Sequence, residues 1–262
     1  QSDMDGAQDY DLALRLTERT SAIQHIPQVL YHWRKIAESA ARSGSAKPWA
    51  DDAGTRALQE HVARCGFDAD VLPGPAQGLY RVRHRIAGQP LVSIIIPTMG
   101  GMQGEGRTGL VLANCLRSIV QKSTYRHFEI VIAEDAPLPG STVSLLEGVP
   151  HERISCNHTG HFNFARKINL AARRSRGSHL VLCNDDIEVI APEWIEALIE
   201  FSQQEAIGAV GAKLVYPDGR LQHVGIVLGV CGLAAHVLHR QPGSTPGHGA
   251  SALIVRNYSA VT

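Results

Sequence analysis

The sequence has no formal net charge, no closely spaced pair of cysteines and no long apolar run. Lys plus Arg and Asp plus Glu are both 25 among 262 residues, which excludes the basic surplus of a general nucleic-acid binder. The five cysteines are scattered and never form a C-x-x-C pair, so a disulfide framework is excluded and a reducing compartment is favoured. No apolar run approaches the roughly 20 residues of a membrane span, and no signal peptide is evident.

The composition is that of a globular protein, and the start of the chain suggests a piece of a longer one. Apolar residues make up 44% of the sequence, which is ordinary for a protein with a real core. The length suits one large domain, or one domain plus an appendage. Because the first residue is Gln1 rather than Met, we expect a fragment.

The organisation of the chain changes near residue 90. Before it, the patterns predict a helix over residues 10–20, an edge strand over 22–31, a small polar linker over 40–47 and a second helix over 53–66. After it, strand and helix patterns alternate. Strands are predicted at 91–96, 128–133, 180–183, 206–216 and 224–230, and helices at 110–120, 163–172 and 193–203. Continuous apolar strands alternating with helices predict an α/β fold with a mainly parallel sheet between helices.

The most informative stretch is residues 178–190, where an apolar run expected to be a buried strand ends in Asn184-Asp185-Asp186. Adjacent carboxylates at the end of a buried strand are costly unless something positive neutralises them. Mg²⁺ held by one or two carboxylates and a substrate phosphate is one solution. The alternative is a strand-end turn in which an Asp caps the next helix, with Pro192 at its first position.

Two further polar clusters follow predicted strands, Pro97-Thr98 and Glu134-Asp135. Ligands of parallel sheets bind at the carboxyl ends of the strands. We therefore expect these clusters to converge with Asn184-Asp185-Asp186 on one edge. Glu134 is expected to be a surface carboxylate whose replacement changes stability little.

Two other sites compete with this interpretation. Residues 104–109 match G-x-G-x-x-G and would favour a dinucleotide oxidoreductase, but seven residues separate the glycines from the strand end. Cys156, His158 and His161 have the residue types of a zinc site without a fourth ligand. His223 and His236 are expected to be structural or to lie on the acceptor side.

The chain resembles a known family from Leu91 to Thr262. The residues that carry the resemblance are Leu91-Val92-Ser93-Ile94-Ile95-Ile96-Pro97-Thr98, Cys115-Leu116-Arg117-Ser118-Ile119, Phe128 to Asp135, Phe162-Asn163-Phe164-Ala165 through Asn169, and Asn184-Asp185-Asp186. They look like the family 2 glycosyltransferases. The resemblance implies a GT-A fold that binds a nucleotide-diphosphate sugar and Mg²⁺ or Mn²⁺, and an inverting transfer to a glycan or lipid-linked glycan acceptor.

The resemblance also implies roles for individual residues. Asn184-Asp185-Asp186 falls at the D-x-D position with Asn for its first carboxylate, which makes Asp186 the metal ligand. Glu134 falls where the family usually has the Asp that contacts the base. The implied substrate contacts are Pro97, Thr98, Glu134, Asp135, Arg166, Asn169 and Asp185. Lys167, beside Arg166, would meet the diphosphate or lie on a solvated helix face.

The N-terminal part resembles the other end of the same family. Residues 6–12 and 25–34 look like the close of a glycosyltransferase domain, where Asp9 matches the catalytic base; alternatively, Asp9 caps the helix that follows. The expected domains are a remnant of a preceding glycosyltransferase over 1–40, a helical linker over 41–90 and a nucleotide-sugar-binding half over 91–262. Such a window across a tandem bacterial enzyme of O-antigen synthesis is expected to be inactive alone.

The resemblance implies a cytoplasmic protein and leaves open peripheral membrane association of the full-length protein and a homo-oligomer. A different class also stays open, a non-catalytic nucleotide-sugar or glycan binding module. In that case Glu134 and Asn184 would mark a lost active site.

Overall fold

The computed structural model describes residues 4–32, 48–100, 107–156, 163–230 and 232–262. By its internal contacts the chain divides into two compact units, Ile86–Val210 and the combination of Gln1–Arg85 with Gly211–Thr262. Within the described ranges, every helix is too short or too polar to cross a bilayer.

The unit 86–210 is built on a four-stranded parallel sheet. Its strands are β3 (Val92–Thr98), β4 (Phe128–Glu134), β5 (His151–Ser155) and β6 (His179–Leu182), and they lie in the order β5-β4-β3-β6. The predicted α/β fold with a mainly parallel sheet is confirmed. β3 and β4 are almost completely buried, as continuous apolar strands between two helical layers should be.

Helices cover both faces of this sheet. The helices are α3 (Arg107–Lys122), the single turn α4 (Gly140–Val143), α5 (Phe164–Arg174) and α6 (Trp194–Ser202). Leu112, Cys115, Leu116 and Ile119 of α3 lie in the larger core with residues of α6, as their spacing predicts. Ile168 and Ala171 of α5 pack on the opposite face against Ile95 and Val131. Phe164, which shares their predicted stripe, is exposed instead.

Two strands of the sheet differ from the expectation. β6 was expected to be buried on both faces, but Leu180 and Leu182 are 47% and 61% exposed, because β6 is an edge of the described sheet and only its other face meets the larger core. β5 was not predicted at all. Its sequence HERIS lacks an apolar run, and only Ile154 is buried.

The other unit begins with α1 (Gln8–Thr17) and α2 (Pro48–Arg64), followed by the antiparallel hairpin β1 (Ala69–Pro73) and β2 (Tyr80–His84). Both predicted helices are present, and Leu58 and Val62 of α2 are buried as expected. Leu12 and Leu16 of α1 are exposed. The strand predicted over 22–31 is wrong: these residues form no regular structure and their apolar side chains are exposed.

Residues 211–262 form two small antiparallel pairs, β7 (Leu214–Val215) with β8 (Leu221–His223), and β9 (Ile226–Val230) with β10 (Leu233–His236). The predicted turn at 217–219 is present and joins β7 to β8. The long strand predicted over 206–216 is wrong, because only Leu214–Val215 is paired.

Candidate functional site at the carboxyl edge of the sheet

Three polar clusters lie at the carboxyl edge of the parallel sheet. Thr98 at the end of β3 is in register with Glu134 at the end of β4. On the other side of β3, the N–H of Cys183 donates to the carbonyl of Ile95 at 2.9 Å, so the chain leaves β6 for Asn184 at the same edge. The convergence expected from the sequence therefore exists. Parallel strands place their ligand sites at this edge.

Thr98, Asp135 and Lys167 form one contact group at this edge. The Lys167 ammonium donates to the carbonyl of Thr98 at 2.6 Å and pairs with the Asp135 carboxylate at 2.8 Å. Lys167 is 4% exposed, so it lies on the inner side of α5 rather than on a solvated face. A buried ammonium keeps its charge only with such partners. Lys167 thus fixes the ends of β3 and β4.

The loops after β3 and β4 touch directly beyond this group. Gly100 has φ +86°, and a Cβ there would overlap the carbonyl of Ala136. The Gly100 N–H donates to the hydroxyl of Thr98 at 3.3 Å. Only glycine fits this close approach without strain. Thr98 is consequently held from both sides, while Pro97 beside it is half-buried.

Glu134 is not the surface carboxylate that the sequence suggested. It is 8% exposed, and the Arg153 guanidinium donates to both of its oxygens at 2.8–3.2 Å. Sequence reasoning missed Arg153 because β5, which carries it, has no apolar signature. Cys156 follows β5 and is buried beside this edge, where its N–H donates to the carbonyl of Glu134 at 2.7 Å. Burial raises the pKa of the Cys156 thiol, which fits a structural cysteine.

The loop that carries Asp185 and Asp186 is anchored on both sides to α3. Before it, the thiols of Cys115 and Cys183 both donate to the carbonyl of Asn184, at 3.7 and 3.4 Å. The neighbouring Cys115 thiol and burial raise the pKa of the Cys183 thiol.

After the loop, the Ser118 hydroxyl accepts the N–H of Val189 at 3.1 Å, and Lys122 binds Glu188 at 2.6 Å and the carbonyl of Val189 at 3.0 Å. Asp185 and Asp186 therefore lie between Asn184 and Val189, two residues that are hydrogen-bonded to α3. The alternative role of the Asp pair as a helix cap is wrong, since the N-cap of α6 is Glu193.

The two carboxylates of this loop are available to a cation. Asp185 is half-buried and Asp186 exposed, and among the described residues no basic side chain lies within 4.0 Å of either. Adjacent carboxylates are hard oxygen ligands of the type that Mg²⁺ and Mn²⁺ take in proteins. The chemistry of this loop therefore fits a divalent metal.

The remaining predicted site residues are less constrained. Arg166 and Asn169 are exposed on α5, and the Asn163 side chain caps the helix by accepting the N–H of Arg166 at 2.9 Å.

Asp9 belongs to the other unit and lies in the first turn of α1, whose N-cap is Ala7. It is not the helix cap, and its carboxylate accepts the N–H of Tyr10 at 2.9 Å.

Part of the predicted zinc site and part of the glycine-rich motif fall on residues that the structure does not describe. His158, His161 and residues 104–106 of the G-x-G-x-x-G motif lie outside the described residues. His223 is buried, and its Nδ1 lies 3.0 Å from the Nδ1 of His236. Burial lowers the pKa of His223.

Elsewhere in the described residues, one group of metal-capable side chains lies close together, Glu18, His61 and Cys65. There Arg64 binds both oxygens of Glu18 at 2.9–3.1 Å.

Comparison with known proteins identifies the family of the chain. The family model Glycosyl transferase family 2 matches residues 93–226, just over half of the chain. An uncharacterized protein, y4gI, of Sinorhizobium fredii is 40% identical over 98% of the chain, and the O-antigen biosynthesis protein RfbC of Myxococcus xanthus is 40% identical over 93%. The chain spans 28% and 19% of the lengths of these relatives. Apart from Val92 at the start of β3, the matched segment contains the four parallel strands and the three clusters at their ends. Because the model matches more than half of the chain, the chain belongs to glycosyl transferase family 2, with the GT-A fold.

Proposed function

We propose that the unit 86–210 binds a nucleotide-diphosphate sugar at the carboxyl edge of its sheet. The observation that carries this proposal is the meeting of Thr98, Asp135 and the Asp185-Asp186 loop at the ends of three adjacent parallel strands. Membership in a glycosyltransferase family supports the sugar nucleotide over a dinucleotide cofactor.

Asp186, with Asp185 beside it, would hold the divalent metal, Mg²⁺ or Mn²⁺. When bound, such a metal supplies positive charge to a diphosphate leaving group. The loop suits this task because α3 fixes the residues before and after it. Two carboxylates held in place and lacking a described cationic partner favour a metal over an internal ion pair.

Pro97 and Thr98 are proposed to contact the nucleotide together with the Glu134–Arg153 pair and Asp135. Because both oxygens of Glu134 already accept from Arg153, we propose that the pair acts as one wall of the base pocket. Arg166 and Asn169 are proposed to meet the diphosphate from α5. Lys167 has the different role of holding Asp135 and the end of β3.

The reaction proposed for the whole protein is an inverting transfer of the sugar to a glycan or lipid-linked glycan. An acceptor hydroxyl needs a base within hydrogen-bond reach, about 3 Å. In the resemblance, Asp9 has that role for a preceding domain. The name of the Myxococcus relative favours an O-antigen or related surface polysaccharide as the product.

Calorimetric titration tests the donor site. UDP, GDP, dTDP and CDP are titrated into the full chain with Mn²⁺, with Mg²⁺ and with EDTA. We expect at least one nucleotide to bind with metal and to lose at least tenfold in affinity with EDTA. Asp186→Ala should remove the metal-dependent part, whereas Glu205→Ala, an exposed carboxylate after α6, should titrate like the wild type.

Equal titrations of the Asp186→Ala variant and the wild type would reject the metal site. Metal-dependent binding without any hydrolysis of the matching sugar nucleotide would favour a non-catalytic binding module. Release of free sugar that requires both the metal and Asp186 would favour the transferase.

A further inference from the structure

A cavity lies in residues 6–80, separate in sequence from the strand-end site. It has a volume of about 330 Å³ and is lined by α1, α2 and the turn before β2. The lining residues are Gly6, Ala7, Asp9, Tyr10, Ala50, Asp51, Gly54, Gln77, Gly78 and Tyr80. Nothing in the donor site uses this cavity. Its size suits one or two rings of a small polar ligand.

One wall of the cavity is aromatic and firmly placed. The rings of Tyr10 and Tyr80 are stacked, with centroids 6.1 Å apart and an interplanar angle of 19°. The Tyr80 hydroxyl donates to the carbonyl of Asp51 at 3.2 Å, and a Cβ at Gly54 would overlap that hydroxyl. Flat aromatic rings offer an apolar surface at small entropic cost, and the C–H face of a pyranose ring packs well on such a surface.

The rim of the cavity is polar and carries negative charge. Asp51 accepts the N–H of Gly78 through one oxygen at 2.8 Å, and Asp9 accepts the N–H of Tyr10 through one oxygen. Beyond these contacts, the second oxygen of Asp9 and the Gln77 amide have no hydrogen-bond partner among the described residues, whereas the Asp51 side chain also interacts with Tyr80. Carboxylates accept and amides both donate and accept, so the rim can bind several hydroxyl groups at once.

The two helices that contribute to the cavity are joined to each other at their carboxyl ends. Arg64 of α2 binds the Glu18 carboxylate at 2.7–3.1 Å, and His61 contacts the same carboxylate at 2.8 Å. Arg15 of α1 pairs with Glu60 of α2 at 3.0 Å. A preformed cavity binds more tightly because its walls need not be ordered on binding. We therefore assign the Glu18 cluster to this clamp between the helices rather than to a metal.

We infer that this cavity binds a neutral or amino sugar unit of a glycan chain. An aromatic wall with hydroxyl-binding groups at its rim suits a sugar ring. Among the described residues, no Lys, Arg or His lines the cavity, and its two carboxylates would repel a uronic acid, a phosphate or the diphosphate of a donor. The inference rests on the proposed function, since a glycan is the acceptor proposed there, and it gives residues 48–80 a binding role beyond that of a spacer.

Saturation-transfer difference NMR on the full chain tests this inference without nucleotide or metal. The probes are the methyl glycosides of glucose, galactose, rhamnose, glucosamine and glucuronic acid. We expect signal from at least one neutral or amino sugar, and at least fivefold less from the glucuronide. Gln77→Ala and Asp9→Asn, both at exposed positions, should each reduce the signal at least threefold. Tyr216→Ala, in a different part of the chain, should leave it unchanged.

Tyr80→Ala should abolish the signal, and the two exposed-site variants keep the test valid if Tyr80→Ala fails to fold. Unchanged signal in both Gln77→Ala and Asp9→Asn would overturn the inference, as would equal signal from the glucuronide or none from any sugar. The nucleotide titrations test the donor site independently, because Asp9→Asn should bind nucleotide like the wild type. A cavity that binds no sugar can therefore be distinguished from a donor site that binds no nucleotide.

Discussion

At the scale of single residues, neighbouring charged positions have opposite surroundings. Arg166 and Lys167 are adjacent in the sequence, yet Arg166 is exposed while Lys167 is buried against Asp135 and the Thr98 carbonyl. Helical geometry separates them by about 100° around the axis of α5. A substitution at each position therefore reports on a different property, the proposed ligand binding for Arg166 and stability for Lys167.

Replacement of Lys167 should destabilise the fold. Lys167→Met removes the partner of a carboxylate that is only 34% exposed and leaves the Thr98 carbonyl without its donor, which should cost about 2–3 kcal/mol. Urea denaturation measures the loss. Arg173→Met, at an exposed position of the same helix, should stay within about 0.5 kcal/mol of the wild type. Equal effects of the two variants would contradict the structural role of Lys167.

Glu134, which is buried, should be energetically coupled to its partner Arg153. Their side chains are 10% and 30% exposed, and a double-mutant cycle with alanine at each position should give a coupling free energy of about 1–2 kcal/mol. The matched control is Arg174 with Glu152, a pair 3.7 Å apart and more exposed, for which the coupling should be below about 0.5 kcal/mol. Coupling free energies of the same size in both cycles would show that the burial of Glu134 does not strengthen its interaction with Arg153.

At the scale of elements, the amino ends of the strands are joined by a buried carboxylate. Glu129 of β4 accepts from the Ser93 hydroxyl of β3 at 2.7 Å, and from the backbone N–H and the guanidinium of Arg176 at 2.7 Å each. The Ser93 hydroxyl in turn accepts the N–H of Gly177 at 2.8 Å. One carboxylate thus ties the turn before β6 to both central strands, at the end of the sheet opposite the donor site.

This contact should make stability depend on pH. Burial alone would raise the pKa of Glu129, but the hydrogen bonds from Arg176 and Ser93 outweigh burial and lower it below its ordinary value of 4.5. A carboxylate with a lowered folded-state pKa stabilises the fold above its unfolded pKa, and that contribution is lost as the pH falls through the folded pKa. Glu129→Gln should be less stable than the wild type at pH 7, and the difference should narrow towards pH 3.

Urea denaturation at both pH values measures this change for Glu129→Gln and for the exposed Glu205→Gln as a control. The control should differ little from the wild type at either pH. If Glu129→Gln lowers the free energy of unfolding by the same amount at pH 7 and at pH 3, the charge of Glu129 does not contribute to stability.

At the scale of the whole molecule, the sequence predicts the strands whose burial leaves a clear pattern. β3 and β4 are continuous apolar runs between helices, so their existence, direction and polar ends follow from the sequence. β5 is different: its exposed positions are polar, and its role in placing Arg153 beside Glu134 depends on pairing with β4. Tyr10 and Tyr80 lie 70 positions apart, and no local pattern indicates that their rings stack. Long-range pairing is the part that the sequence alone could not supply.

The division of the chain into two units leads to a prediction about where a donor acts. If the nucleotide and its metal bind at the carboxyl edge of the sheet, they should slow hydrogen exchange in peptides that cover the ends of β3, β4 and β6, because ligand binding suppresses local opening. Peptides from α1, α2 and β1–β2 should exchange as in the free protein. Mass spectrometry of deuterium uptake, with Mn²⁺ and the best nucleotide from the titrations, measures both sets. Asp186→Ala should lose the protection at the strand ends, whereas Asp9→Asn should keep it. Protection confined to α1 and α2 would instead move the donor site to the cavity lined by Tyr10 and Tyr80, whose carboxylate rim argues against a diphosphate.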